Sequence, residues 1–147
     1  MSGMTRRVVA GIGADGRAVV LSDGVSSPPR DLGGAALSEL WRIKHPPRRA
    51  TDGGDAPNDG WQLWGEAIGA LAWRVCRFTA ANQALHRTPS IDLISVLEGE
   101  IDLLLEDGPV RLREGDHVVI QACLHGWQLV DGAPCTIAAL MITVEAP

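Results

Sequence analysis

The sequence predicts an all-β domain, a sandwich or barrel of antiparallel strands, and two observations carry that prediction. From Leu71 onward, short runs rich in Val, Ile and Leu (LAWRVCRF, IDLISVL, EIDLLLE, PVRLRE, HVVIQ, HGWQLV and CTIAALMITV) follow one another closely. Gly99, Asp107-Gly108, Glu114-Gly115 and Asp131-Gly132 punctuate them, and these are turn formers. Nowhere does an apolar pattern keep helical spacing for three turns. Strands this short and closely spaced are those of sandwiches and barrels.

Before Leu71 the stretch RRVVAGIGADGRAVVLSDG reads as two strands around an Asp15-Gly16 turn, a strong hairpin signal. SELWRIK (38–44) is a further candidate strand. Residues 45–60 are polar and rich in Pro, Gly and Asp, so they read as an exposed loop, with a solvated His45 at its edge. Trp61 and Trp64 follow that loop. The chain is thus expected to be one domain over 1–147: N-terminal strands in 1–44, a loop over 45–60 and a barrel core over 61–147.

At 147 residues, with 46% apolar and 21% charged residues, the chain suits one globular domain with a real core. No apolar run approaches the length of a membrane span, and no signal-peptide pattern opens the chain. The formal charge of −5 argues against a nucleic-acid partner, which needs a basic face. A soluble cytoplasmic protein without membrane or nucleic-acid partners is the expectation. Cys76, Cys123 and Cys135 are odd in number and have no CxxC spacing, which suits reduced thiols in or near the core. The chain has five Trp, one Phe and no Tyr, so no tyrosine of its own serves as an acid.

Strand alternation refines this reading. In IDLISVL, Asp92, Ile94 and Val96 share one face, while Ile91, Leu93, Ser95 and Leu97 share the other. CTIAALMITV sets Ile137, Ala139 and Met141 against Ala138, Leu140 and Ile142. Both faces are apolar, so both call for a cover. The outer cover comes from the N-terminal segments or from a second subunit, and a homodimer is expected. His117 opens a strand and is read as structural or solvent-facing.

The turn Glu98-Gly99-Glu100, then LREGD (112–116), then a histidine ten residues after Gly115, resemble the cupin family. Its motifs resemble G-x5-H-x-H-x3,4-E-x6-G and G-x5-P-x-G-x2-H-x3-N, and the resemblance covers roughly 74–144. Gly99 takes the closing glycine of the first motif, whose opening glycine falls on Ala80. His86 takes the first histidine, Thr88 stands at the second, and Asp92 takes the glutamate. In the second motif Gly115 and His125 take the glycine and the histidine, one residue closer together than the pattern. Gln121 stands at the proline, Ala122 or Cys123 at the second glycine, and Leu129 near the asparagine. HRTxxID…VLEGE followed by H-x-W also resembles a subgroup of small single-domain cupins, in which Thr88 and Asp92 belong to the type.

The resemblance implies a double-stranded β-helix, or jelly-roll, with extra N-terminal strands. It implies that His86, Asp92 and His125 meet in the barrel mouth. Two imidazoles and a carboxylate would suit a divalent iron, zinc or manganese ion and leave coordination positions open. The residues equally admit a metal-free pocket in which Asp92 is a buried carboxylate hydrogen-bonded to an imidazole. The remaining lumen would be apolar, with Ile94, Val96, Trp127, Leu129 and Met141, and with Trp41 and Trp73 on strands able to line it. Thr88, Ile94, Trp127, Trp41 and Trp73 are therefore the candidate substrate-pocket residues. Asp92 and His125 are the candidate catalytic groups. Such a pocket suits a hydrophobic or aromatic oxygenated small molecule. Isomerase, dehydratase, decarboxylase and dioxygenase chemistries all stay open. The alternative is a non-enzymatic small-ligand-binding barrel without metal. A purely structural barrel would leave the buried polar residues unexplained.

Overall fold

The structure is a computed structural model that describes residues 6–14, 16–25, 28–46, 67–80, 83–106 and 108–145. Within them the chain forms twelve strands and no helix. β1 (Arg6–Ile12) and β2 (Ala18–Val25) pair as an antiparallel hairpin that forms a two-stranded sheet by itself. Asp15 of the expected turn lies outside the described residues, and Gly16 takes a left-handed backbone there (φ +78°). Residues 47–66, with most of the expected loop and both Trp61 and Trp64, also lie outside them. His45 is exposed.

β3 (Arg30–Asp31), β4 (Ala35–Ile43), β5 (Leu71–Phe78), β7 (Ser90–Glu98), β10 (His117–Gln121) and β12 (Cys135–Thr143) build one antiparallel sheet, in the order β10-β7-β12-β5-β4-β3. β6 (Gln83–His86), β8 (Glu100–Leu105), β9 (Gly108–Arg113) and β11 (His125–Leu129) build the second, in the order β6-β11-β8-β9. Non-consecutive neighbours in both sheets are the mark of a jelly-roll, and the hairpin and β4 supply the extra N-terminal strands. No helix long and apolar enough to cross a membrane occurs among the described residues.

The inner faces of the two sheets share one core. Ile94, Val96, Ile137 and Phe78 come from the six-stranded sheet, and Ile101 and Trp127 from the other. Each side chain of this kind stabilises the fold by roughly 1.5–3 kcal/mol when fully buried. The chain passes from one sheet to the other at Gly99, between β7 and β8. Gly99 has φ +83°, and a Cβ there would stand 2.7 Å from the Pro134 carbonyl oxygen, so only glycine fits this corner. Cys76 and Cys135 are buried, and burial pushes their thiols up to about 12 and about 11, so both are inert. Cys123 is exposed.

Candidate functional site

Residues directly opposite one another on paired strands share a face, so the register divides the interior of the larger sheet into rows. One row runs Val96, Ile137, Cys76, Leu37 and is wholly apolar. The next runs Ile94, Ala139, Arg74, Glu39, and the one beyond it Asp92, Met141, Ala72, Arg42. One end of the barrel interior is therefore oily and the other holds four charged side chains, all buried.

Charge pairing makes that burial tolerable. Arg42 grips Glu39 with two hydrogen bonds, Nε to Oε1 at 2.5 Å and Nη2 to Oε2 at 2.9 Å. Arg74, only 1% exposed, sets Nη2 3.7 Å from the same carboxylate and donates from Nη1 to Met141 Sδ at 3.3 Å. Burial lowers the Arg74 guanidinium from its ordinary value, and the adjacent Glu39 charge works against that shift.

Asp92 sits beside this cluster, 4% exposed. Ser90 Oγ donates to Asp92 Oδ1 at 2.5 Å and Thr88 Oγ1 to Oδ2 at 3.4 Å. Burial pushes the carboxyl upward; the hydrogen bond from Ser90, the charge of His125, the hydrogen bond from Thr88 and the charge of His86 only partly offset it. On the smaller sheet, His125 opens β11 directly opposite His86 at the end of β6. Their ring centroids are 4.6 Å apart at 53°. Each imidazole is held through Nδ1 by a carbonyl two residues earlier, His86 by Ala84 at 3.0 Å and His125 by Cys123 at 2.9 Å. With Nδ1–H donating, Nε2 carries the lone pair on both rings. Burial is the main cause that lowers His125 from the ordinary histidine value. The Trp127 indole meets the His125 ring edge-on at 6.2 Å and lies 6.0 Å from Phe78, which ties the imidazole to the apolar core.

His86, Thr88, Asp92 and His125 thus gather at one end of the interior, with Ile94 and Trp127 buried beside them. Trp73 does not join them. It is 45% exposed on the outer face of β5, because Arg74 on the alternate face turns inward to Glu39. Trp41 pairs directly with Trp73 and shares that outer face. Both are corrections to the expected lumen lining. Sequence reasoning missed Arg74, Glu39, Arg42 and Ser90. The signal for Arg74 was its alternation with Ala72, Cys76 and Phe78, a face as apolar as the one carrying Trp73. His117 is exposed and shares a 2.8 Å hydrogen bond with Ser95.

Among the described residues, no three His, Cys, Asp or Glu side chains are grouped so as to hold one metal. Both Asp92 oxygens accept hydroxyl hydrogen bonds, and Thr88 stands where a second imidazole of the pattern would be. Among the described residues His86, Asp92 and His125 are thus not grouped as a three-ligand centre, and the imidazoles of His86 and His125 stand as a pair.

Among solved structures, KdgF from Halomonas sp. aligns over 78% of this chain and 86% of its own, with a TM-score of 0.55 and 15% identity. An RmlC-like cupin from Shewanella frigidimarina aligns over 79% and 83%, with 0.54 and 13%. The fold is the cupin fold. The polyketide cyclase RemF from Streptomyces resistomycificus also shares the cupin barrel, with a TM-score of 0.54 and 17% identity over 78% of this chain and 69% of its own. No family model matches the chain. Two curated proteins of Diaporthe leptostromiformis, phomopsin biosynthesis cluster proteins C' and D, are 49% identical to it over 45 residues. That segment is 30% of this chain and 24% of each relative, so the match spans about a quarter of their length.

Proposed function

We propose that this cupin barrel is a small-molecule enzyme acting on a hydrophobic or aromatic oxygenated substrate, with Asp92 and His125 as its proton-transfer couple. One observation carries the reading: a carboxyl and an imidazole are both buried at the charged end of the interior, beside the apolar side chains of Ile94 and Trp127. Burial raises the carboxyl and lowers the imidazole, which biases each toward its neutral form, the carboxyl toward a proton donor and the imidazole toward a proton acceptor. Shifts in these directions bring an acid and a base closer in proton affinity, which favours transfer between them and a substrate. His125 would take a proton from carbon next to a carbonyl, while Asp92 gives its own to the carbonyl oxygen or to a departing hydroxyl that leaves as water. The outcome is isomerisation or dehydration. Ser90 and Thr88 hold the Asp92 oxygens in place. The similarity to proteins named for a biosynthesis cluster, and a fold neighbour named a polyketide cyclase, support an oxygenated natural-product-like substrate.

Deuterium exchange tests the proposal. Aromatic β-hydroxycarbonyl and enol compounds are incubated in heavy water with the native protein, Asp92→Asn and His125→Gln. Exchange or turnover by the native protein alone supports it. Calorimetric binding of these compounds without exchange would favour a ligand-binding barrel instead.

A second reading rests on the Nδ1 anchoring of His86 and His125, an arrangement that orients imidazoles for metal ligation. The pair would then hold iron, zinc or manganese with non-protein ligands completing the shell. Stoichiometric metal in protein purified without chelator, lost in both His86→Ala and His125→Ala, would favour this reading.

A further inference from the structure

The buried Arg74 guanidinium stands between two acceptors of unlike strength. Glu39 Oε2 lies 3.7 Å from Nη2, an ion pair too long for a hydrogen bond, while Arg42 grips both oxygens of that carboxylate. Nη1 donates to Met141 Sδ at 3.3 Å, and a thioether is a weak acceptor. Met141 is only partly buried, and its unbranched, flexible side chain turns aside at little cost.

The place of this contact matters. Met141 on β12 is directly opposite Asp92 on β7, so the thioether neighbours both the guanidinium and the carboxyl of the proposed proton-transfer couple. Burial is the main influence on Arg74, yet the charges of Glu39 and Asp92 both reach it. Arginine keeps its own charge in such surroundings. An oxyanion brought to Nη1 would replace a weak neutral acceptor with a charge-assisted hydrogen bond, roughly twice as strong as a neutral one. Asp92, biased by burial toward its neutral form, would repel that oxyanion little. A carboxylate fits better than a phosphate dianion, which would set two charges beside Glu39.

We infer that Arg74 is a substrate-binding residue whose guanidinium takes the carboxylate of an oxygenated acid, displacing the Met141 thioether. The inference rests on the proton-transfer reading of Asp92 and His125 and narrows its substrate to a hydrophobic or aromatic oxy-acid. A carboxylate held there lies beside Asp92, so the reacting carbons are those next to the carboxyl. A 3-hydroxy acid meets this requirement. His125 takes the proton from C2, and the electron pair of that bond forms a C2–C3 double bond. The C3–O bond breaks as Asp92 protonates the hydroxyl, which leaves as water, and the proton on His125 then returns to Asp92.

Calorimetric titration of the full chain with 3-hydroxy-3-phenylpropanoate and with its neutral amide tests this. The variants are Arg74→Met, Arg74→Lys and Met141→Leu, each checked for its fold by far-UV circular dichroism. The native protein should bind the acid about tenfold or more tighter than the amide. Arg74→Met should lose that preference and Arg74→Lys keep part of it. Met141→Leu nearly conserves volume and removes the competing acceptor, so it decides the matter even where Arg74→Met fails to fold. It should bind the acid a few-fold tighter and the amide as the native protein does. Native protein that binds acid and amide equally, or binds neither, overturns the proposal. So does a preference that survives Arg74→Met, or an acid affinity unmoved by Met141→Leu. Deuterium exchange at C2 separates the two readings. Acid preference without exchange upholds the Arg74 subsite and sinks the proton-transfer couple, whereas equal exchange of acid and amide does the reverse.

Discussion

His86 and His125, 39 positions apart in the chain, are direct cross-strand partners on β6 and β11 with rings 4.6 Å apart. Strand pairing therefore brings them together, whether or not an ion ever joins them. They are not equivalent. His125 is 2% exposed and packed against Trp127, whereas His86 is half-buried. His125→Ala should cost about 2–3 kcal/mol of stability in urea melts and His86→Ala about 1 kcal/mol or less.

The pH dependence of stability follows from the lowered pKa of His125. The folded protein resists protonating this ring, while the unfolded chain takes up the proton near its ordinary value of about 6.5. Its contribution is thus fully present above that value and declines as the pH falls below it. Urea melts between about pH 7 and 5 should show a loss of stability that His125→Gln flattens.

Asp92 works in the opposite sense, because its folded pKa is raised. The unfolded carboxyl gives up its proton near pH ~3.9 while the folded one retains it, so the favourable contribution is complete at low pH. It is lost as the pH rises through the folded value. Asp92→Asn should then equal or exceed the native protein in stability at pH 7 while abolishing proton exchange. A neutral-pH melt and an exchange assay on the same sample check both halves.

Glu39 pairs with two buried guanidiniums, Arg42 and Arg74. Glu39→Ala leaves both cations in a low-dielectric interior and should destabilise the fold by about 3–5 kcal/mol. Calorimetric melting would register this as a large fall in Tm.

Gly99→Ala places a Cβ against the Pro134 backbone oxygen at a left-handed corner. The strain alone is worth about 1–2 kcal/mol, and a backbone atom has little room to yield. A loss of roughly 2 kcal/mol or more in chemical denaturation is the expected outcome.

Much of this was legible in the sequence. The runs from LAWRVCRF to CTIAALMITV are all strands, and Asp92, Ile94 and Val96 share the buried face that alternation gave them. The hairpin pairs as its turn signal implied. Ala122, one of the two residues at which the second motif's glycine falls, holds a left-handed backbone with φ +49°. β6 and β3 went unread because four and two residues are too short to establish a period.

The sequence by itself determined where the strands lie, which residues share each strand face, and that His86 and His125 belong to one barrel. Period-two alternation gives the strands and their faces, since it depends only on backbone geometry, and the resemblance to the cupin motifs is what implied that the two histidines meet. Only the tertiary structure decided which face turned inward where both were apolar. On β5 it was the face with Arg74, because Glu39 on the neighbouring strand neutralises the guanidinium, while Trp73 was left on an outer face whose neighbours are apolar too. It also decided the fate of Asp92. Ser90 and Thr88 hydroxyls take both of its oxygens, a partnership set by the local path of the chain into β7 and invisible to motif spacing.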